Sequence, residues 1–363
     1  MGENCFSPSH FAQTRKGRIM GRGLRFSKWF AQSGRRTNNP RNSTPRLSAY
    51  HRRLVCECLE DRRLLSISWP GGVISSNTTW TAANSPYSLA GSVYVEKGAT
   101  LTIQSAVQVQ GSALYIDDDG SGGALSASGV KFQNSHVELD AGAAVSLSGD
   151  QFLSNNVYVD ATLASSLSGN TFPASSTVNI LYGTLKTSAT LPLITNVSSY
   201  SLNGLYIESG ATLTIANGNT ITGSSMYVDD NNSGGSLVAK GVTFGSQLHL
   251  GSGSTGLLEF DEFTYGGYNY FDSQMAVIVT DDDFSASKAE AQGVIGATVH
   301  LEGNYWGPGM TTDSLIRQNK IYDHASNSGL PPISIDPFLT SAPPFVEQWD
   351  GGGADDNWMT AAN

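Results

Sequence analysis

The sequence predicts an all-β protein, a right-handed parallel β-helix (solenoid), and two periodicities carry that prediction. The segment YVEKGATLTI, which begins at Tyr94, recurs as YIESGATLTI at Tyr206, and this offset of 112 indicates an internal duplication. Within the first copy, Phe132, Phe152 and Phe172 are spaced by 20 residues. A period of about 20 residues is typical of a solenoid whose coils stack at the strand spacing of about 4.8 Å.

Short runs of alternating apolar and polar residues supply the strands. Ser92 to Glu96 and Gly204 to Glu208 alternate with a period of two, and runs of this kind end at Gly, Asn or Asp. Alternation predicts half-buried strands, and the residues that end the runs predict turns. No helical period is sustained before about residue 312. A β-propeller or a β-sandwich is the less favoured alternative, because neither repeats about every 20 residues. We therefore expect Phe152 to pack between Phe132 and Phe172 inside the solenoid.

Charge divides the chain into two parts. Residues 1–66 hold 14 of the 21 Lys and Arg residues but only four of the 31 acidic residues, so the remainder is strongly acidic. All three cysteines lie in the basic part, which leaves the acidic part without a thiol for disulfides, zinc sites or nucleophilic catalysis. No run of 18 apolar residues exists, so no membrane-spanning helix is predicted.

The basic part is interpreted as an arm followed by a targeting segment. Residues 1–58 have the composition of a disordered arm, and nucleic-acid binding by it is considered but not predicted. Cys58 to Ser66, CLEDRRLLS, resembles the LEPR-XLL-type segment near the start of large secreted proteins of planctomycete-type bacteria. Asp61 stands where that pattern usually has proline. The resemblance implies that residues 59–66 direct export or surface sorting; a short amphipathic stub is the alternative.

Three pieces near the C-terminus resemble the closing segment of right-handed β-helix proteins of the pectate-lyase-like superfamily. They are GNYWGP from Gly303, the stretch Ile316 to Asp323, and IDPFL from Ile335. The β-helix is therefore expected over 67–340, with a cap at 303–340 that includes a short helix. Aromatic residues of the cap would cover the open end of the last coil.

Residues 341–363 leave this pattern. They are expected to be a linker and the start of a truncated surface-repeat module, because WDGGGADDNW from Trp349 resembles the opening of a strand repeat in autotransporter-like surface proteins. On this interpretation the chain ends within a module.

Catalysis has weak support in the sequence, although the resembled superfamily contains polysaccharide lyases and hydrolases. Beyond residue 63 the only arginine is Arg317, so no cationic cleft for an acidic polysaccharide is evident. Asp281, Asp282 and Asp283 are weak catalytic candidates, because two carboxyl groups roughly 6.5 to 9.5 Å apart suffice for inverting glycoside hydrolysis. No Gly-His-Gly or Arg-Ile-Lys segment follows them.

Two further groups are candidate binding sites. Oxygen-rich, glycine-rich loops could hold calcium, although capping of tight turns is the favoured interpretation; the candidates are Asp117, Asp118, Asp119, Asp229 and Asp230. An aromatic cluster could stack on sugars or simply cover the flank of the solenoid; its members are Tyr265, Tyr268, Tyr270 and Phe271.

The combined prediction is a non-catalytic module at the cell surface or secreted, acting as a spacer and an adhesin-like or carbohydrate-binding surface. Extracellular polysaccharide or other surface proteins are the expected partners, with no nucleic acid and no cofactor other than calcium. A carbohydrate-active enzyme is the alternative, and it rests mainly on the analogy of fold.

Overall fold

The computed structural model describes residues 66–154 and 156–344. The predicted arm (1–58), nearly all of the predicted export segment (59–66) and residues 345–363 of the predicted linker and repeat module lie outside the described residues.

The first part of the solenoid consists of short strands joined by tight turns. Its strands are β1 (Ile67–Trp69), β2 (Gly72–Ile74), β3 (Thr78–Trp80), β4 (Tyr87–Leu89), β5 (Val93–Val95), β6 (Ala99–Ile103), β7 (Gln108–Gly111), β8 (Ala113–Ile116), β9 (Gly123–Ser128), β10 (Lys131–Gln133), β11 (His136–Leu139), β12 (Ala144–Ser148), β13 (Gln151–Phe152) and β14 (Val157–Val159). Two 3₁₀ helices, Ala82–Asn84 and Ala161–Leu167, complete this part.

The second part continues in the same manner and ends in a short cap. Its elements are β15 (Ser176–Ile180), β16 (Gly183–Leu185), β17 (Ala189–Leu191), β18 (Val197–Leu202), β19 (Leu205–Ile207), β20 (Ala211–Ile215), β21 (Thr220–Gly223), β22 (Met226–Val228), β23 (Gly235–Lys240), β24 (Thr243–Phe244), β25 (Leu248–Leu250), β26 (Ser254–Glu259), β27 (Glu262–Phe263), β28 (Tyr268–Asp272), β29 (Ala276–Thr280), β30 (Lys288–Gln292), β31 (Val299–His300), helix α1 (Asp313–Lys320), β32 (Ile321–Tyr322) and β33 (Ile333–Ser334).

These strands form a parallel β-solenoid of about 11 turns, with coils about 21 residues apart. Each strand pairs in parallel with the equivalent strand of the next coil, as β8 does with β11 and β22 with β25. The long sheets are A (β1-β4-β7-β10-β13), B (β2-β5-β8-β11-β14-β15-β18-β21-β24-β27), C (β3-β6-β9-β12), D (β16-β19-β22-β25-β28-β30-β32) and E (β17-β20-β23-β26-β29). The predicted all-β solenoid is thus confirmed, while its right-handedness stays a prediction.

A column of stacked phenylalanines fills the interior behind sheet A. Phe152 lies between Phe132 and Phe172 at ring-centroid distances of 5.0 Å on each side. All three rings are buried. The predicted column is confirmed, and its cause is the regular spacing of the three residues, which places their rings at equivalent points of successive coils.

A second aromatic column closes the C-terminal end. Phe244, Phe263 and Phe284 stack in order, and Trp306 covers Phe284 at a centroid distance of 4.9 Å. Trp306 is fully buried, as expected for a residue that covers the last apolar cross-section. The predicted cap helix is also present: α1 follows Thr312, whose side chain accepts a hydrogen bond from the backbone N–H of Leu315.

The two copies repeat strand by strand but occupy different faces. Strands β5, β6, β7 and β9 correspond to β19, β20, β21 and β23, respectively, and all four pairs are separated by the offset of the sequence repeat. In the first copy β7, β8 and β9 lie in sheets A, B and C, whereas β21, β22 and β23 lie in sheets B, D and E. The first two strands of a coil therefore join different sheets in the two copies, which the sequence repeat alone did not indicate.

The change of sheets occurs near a coil in which a 3₁₀ helix takes the place of a strand. Ala161–Leu167 follows β14 and contacts β12 on one side and β17 on the other, so it lies between sheets C and E. Its residues Ala161, Ala164 and Leu167 are buried, and Asp160 caps it by accepting the N–H of Thr162. The last strand of sheet A, β13, precedes this helix and is followed only by a bridge from Gln151 to Thr171, and the first strand of each later coil joins sheet B.

The aromatic column predicts a large local difference in stability between two adjacent residues. Phe152→Ala should lower the free energy of unfolding by about 3 to 5 kcal/mol, because it leaves a cavity between two stacked rings. Leu153→Ala is the matched control, since Leu153 is 46% exposed, and its effect should stay within about 0.5 kcal/mol. Denaturant unfolding of both variants measures the difference. Equal effects of the two substitutions would contradict the column's role.

Candidate functional site

The glycine-rich loop after β8 uses two of its three aspartates to close the turn. Asp117 is buried and its Oδ1 accepts the backbone N–H of Gly122 at 2.6 Å. Asp119 Oδ1 accepts the N–H of Ser121 at 2.9 Å. These two carboxylates therefore act as turn caps.

The equivalent loop of the second copy is built in the same way. Asp229 Oδ1 accepts the N–H of Gly234 at 2.7 Å, and Asn231 Oδ1 accepts the N–H of Ser233 at 2.9 Å. Asp118 and Asp230, the second residues of the two loops, take part in none of these turn hydrogen bonds. The favoured turn interpretation thus accounts for Asp117, Asp119 and Asp229, and it leaves Asp118 and Asp230 as the residues with free carboxylates to consider.

Asp118 meets two carboxylates of the next coil. Oxygen atoms of Asp118, Glu138 and Asp140 all lie within 4.8 Å of one another, which is close enough to share one cation. Glu138 Oε2 also contacts Nε2 of His136 at 2.6 Å. Hard oxygen donors in such a group suit calcium. The sequence pattern indicated Asp118 but not Glu138 and Asp140; their spacing of 20 and 22 residues from Asp118, close to one coil, is the signal that could have found them.

The electrostatics of the Asp118, Glu138 and Asp140 cluster favours binding of a cation. Burial, together with the nearby carboxylates of Glu138 and Asp118, raises the pKa of Asp140 to about 7. One oxygen of Asp140 is buried and has no hydrogen-bond partner in the part of the chain that the structure describes. Asp140 therefore holds a proton below about pH 7, and loss of this proton above that pH adds a negative charge that would attract a cation more strongly.

The second copy carries different residues at the same place. His249 pairs with Tyr227 as Glu138 pairs with Tyr115, and the N–H of Gly251 donates to Val228 as that of Asp140 donates to Ile116. The carboxylate pair of the first copy is thus replaced by an imidazole and a glycine. A small cleft remains there, whose lining includes Asp230, His249, Tyr270 and Gln292. A side chain in place of Gly251 would meet the backbone oxygen of Asp229, so no carboxylate fits.

Two aromatic ladders run along the outer face of the solenoid beside these places. The first ladder consists of Tyr94, Tyr115, His136 and Tyr158 on sheet B. The second ladder consists of Tyr206, Tyr227, His249 and Tyr270 on sheet D. Tyr206 and Tyr227 stack with a centroid distance of 4.6 Å and an angle of 7° between their planes. Because most of these neighbouring rings stack face to face, the inner members offer mainly ring edges to a ligand, and the inner tyrosines also offer their hydroxyl groups.

The predicted aromatic cluster does not form one surface. Tyr268 and Tyr270 point outward from β28, and Tyr270 already stacks on His249 at 4.4 Å. Phe271 points into the core and is fully buried, where it meets Phe284 edge to face. Phe271 is therefore a packing residue that a sugar cannot reach, which corrects its place among the candidates. Alternation along a strand sends neighbouring residues to opposite faces, and this separates the cluster.

The three consecutive aspartates are also separated. Asp282 is fully buried, and its Oδ1 accepts the backbone N–H of Asp261 at 2.7 Å. Asp283 is 6% exposed, and its Oδ1 accepts the N–H of Ser285 at 2.6 Å. Only Asp281 is partly accessible, at a turn with φ of 56°. Asp282 and Asp283 therefore do not form a solvent-facing pair of the kind that glycoside hydrolysis requires.

Comparison with protein-family models, with curated proteins and with solved structures found no match for this chain. Within residues 66–154 and 156–344, no helix is long and apolar enough to cross a membrane.

Calcium binding by the carboxylates of Asp118, Glu138 and Asp140 predicts a rise in melting temperature on addition of calcium. The stabilisation should reach about 2.7 kcal/mol when free calcium is a hundredfold above Kd. It should be larger at pH 8 than at pH 6, because Asp140 must lose its proton to bind. Thermal unfolding with calcium and with chelator measures both effects.

Variants of the two copies separate this site from general effects of calcium. Asp118→Asn combined with Asp140→Asn should abolish the shift, whereas Asp230→Asn, at the equivalent place of the second copy, should preserve it. No shift at millimolar calcium, or a shift that survives the double substitution, would leave turn capping as the only role of these loops.

Proposed function

We propose that residues 67–340 act as a non-catalytic spacer and contact surface, secreted or at the cell surface of a bacterium. The proposal includes a right-handed β-helix of the pectate-lyase-like kind and export through the LEPR-XLL-like segment. Both details rest on the resemblances of CLEDRRLLS and of the three C-terminal pieces. The surface could be adhesin-like or could bind carbohydrate.

One observation carries this proposal: the carboxyl groups that the sequence offers for catalysis are used to hold the fold. Asp282 binds the backbone of the neighbouring coil, and Asp283 caps a turn. The cationic groups of the cap are similarly engaged. Arg317 pairs with Asp313 and Asp323, and Lys320 Nζ donates to the backbone oxygen of Ser285 at 2.5 Å. These side chains stabilise the stacked coils, and a stable stack of coils is what a spacer requires.

The negative charge of the surface restricts the classes of partner that can bind it. The carboxylates of Asp118, Glu138 and Asp140 lie together on the first copy, and 27 of the 31 acidic residues lie beyond residue 66. Such a surface repels polyanions at low ionic strength. Neutral polysaccharides, or surface proteins with a basic patch, are therefore the favoured partners, and nucleic acid is disfavoured.

A carbohydrate-active enzyme is the alternative, and a screen distinguishes the two. The purified chain is incubated with a panel of polysaccharides, with release of reducing sugars and of unsaturated uronates as the readouts, and binding is measured on a glycan array. Binding without cleavage supports the contact surface. Cleavage that is lost in Asp283→Asn while the fold survives would replace this proposal with the enzyme.

Deletion of one repeat unit tests the spacer role. Removing residues 94–205 joins Val93 to Tyr206 within the repeated strand, so the hybrid coil keeps its alternation of buried and exposed residues. It also removes the 3₁₀ helix at which the faces change, and β21 should then pair with β4 in sheet A instead of joining sheet B. We expect a folded solenoid shorter by about five coils, or roughly 25 Å at the strand spacing.

Circular dichroism and small-angle X-ray scattering measure fold and length for the deletion variant. A second deletion, of residues 104–215, removes the same number of residues and joins Ile103 to Ala216 at another repeated position. It should give the same result. Failure of both variants to fold would contradict a modular spacer built from exchangeable units.

A further inference from the structure

A buried polar ladder runs along the turn that precedes the inward aromatic residues of the C-terminal coils. The backbone N–H of Val242 donates to Asp261 Oδ1, that of Asp261 to Asp282 Oδ1, and that of Asp282 to Asn304 Oδ1, at 2.7 to 2.9 Å. Asp261, Asp282 and Asn304 are all fully buried. Each side chain of the ladder therefore satisfies a backbone donor of the preceding coil.

Asparagine completes this arrangement with its second polar atom. Asn304 Nδ2 donates to the backbone oxygens of Val279 at 2.9 Å and Leu301 at 3.1 Å. Asn219 Nδ2, at the equivalent position of an earlier coil, donates to two backbone oxygens in the same manner. The second polar atom at this position thus faces backbone carbonyl groups, which require a donor.

When ionised, the carboxyl groups of Asp261 and Asp282 have no hydrogen of their own to donate to backbone carbonyl groups at this position. Oδ2 of each is buried and has no hydrogen-bond partner among residues 66–154 and 156–344. Asp150, in the first copy, differs because its two oxygens accept the N–H groups of Val130 and Ser148. An ionised carboxyl is an acceptor only, whereas a protonated one carries an O–H that can replace the amide N–H of asparagine.

We propose that Asp261 and Asp282 form a proton-binding site in which the protonated carboxyl groups complete the ladder, and that loss of these protons destabilises the C-terminal coils. The other ionisable groups that act on the pair are Glu259 and Asp281, and both are acidic. Lys240 Nζ lies 3.3 Å from Glu259 and is half exposed, so it pairs with that residue and not with the buried carboxyls.

The environment supports protonation in neutral solution. Burial raises the pKa of Asp261 to about 8. Burial, followed by the charge of Asp261, raises the pKa of Asp282 well above its ordinary value. In the unfolded chain both groups ionise near pH 4. The folded state therefore binds more protons than the unfolded state between about pH 4 and 8, so stability is complete below this range and is lost as pH rises through it.

Unfolding of the full chain by urea between pH 5 and pH 10 tests the proposal. The unfolding equilibrium constant of the wild type should rise roughly tenfold per pH unit for each proton that the folded state binds and the unfolded state has released. Asp261→Asn and Asp282→Asn should each reduce this slope. At pH values above 8, each should also raise the urea concentration at the unfolding midpoint. Asparagine occurs naturally at positions 170, 219 and 304 of the ladder, so we expect these variants to fold. Asp230→Asn, an exposed carboxylate of the same copy, is the matched control and should leave the slope unchanged.

Infrared spectroscopy of the folded chain at pH 7 supplies an independent readout. The C=O stretch of a protonated carboxyl should be present in the wild type and reduced in the double variant Asp261→Asn with Asp282→Asn. Absence of that band in the wild type would overturn the proposal, as would a pH slope that is the same in the wild type and the double variant.

Discussion

The parallel pairing of each coil with the next is the interaction on which the rest of this structure depends. Because the register carries every side chain to a fixed height above its equivalent one coil earlier, a residue type repeated once per coil becomes a continuous column. Phe132, Phe152 and Phe172 form such a column inside, and Tyr206 and Tyr227 form one outside. The same constraint makes an isolated coil unstable, since its apolar cross-section is covered only by neighbours.

Stacking also explains how the two copies can be alike in sequence and different in place. A coil must fit the coil beneath it, but it need not occupy the same faces as its equivalent in the other copy. Sheet A ends in the coil that contains the 3₁₀ helix Ala161–Leu167, and the first strand of each later coil lies in sheet B. Places that are equivalent by strand pairing therefore lie on different sheets, and they carry different groups, with Glu138 and Asp140 in one copy and His249 and Gly251 in the other.

Polar residues within the coils serve the backbone before they serve a ligand. A turn that leaves an N–H or C=O group buried must satisfy it, and an unpaired group costs roughly 1 to 3 kcal/mol. Asp117, Asp261 and Asp282 meet this need with one carboxylate oxygen each. Aspartates that resemble catalytic or metal-binding residues in the sequence are thus mostly structural. In Asp261 and Asp282 the second oxygen is buried and unpaired within the described part of the chain, and protonation offsets the free energy that this costs.

The sequence by itself determined the coil length, the all-β class, the inward phenylalanine column and the cap helix, because these follow from periods and local signals along one chain. It also identified the loops of Asp117 and Asp229 as turns. Only the tertiary structure decided which sheet each strand joins, that Asp118 meets Glu138 and Asp140, and that Phe271 and Asp282 face inward. Those outcomes depend on the register between coils, which short insertions shift, and a slip by a single position exchanges the inner and outer faces of a strand.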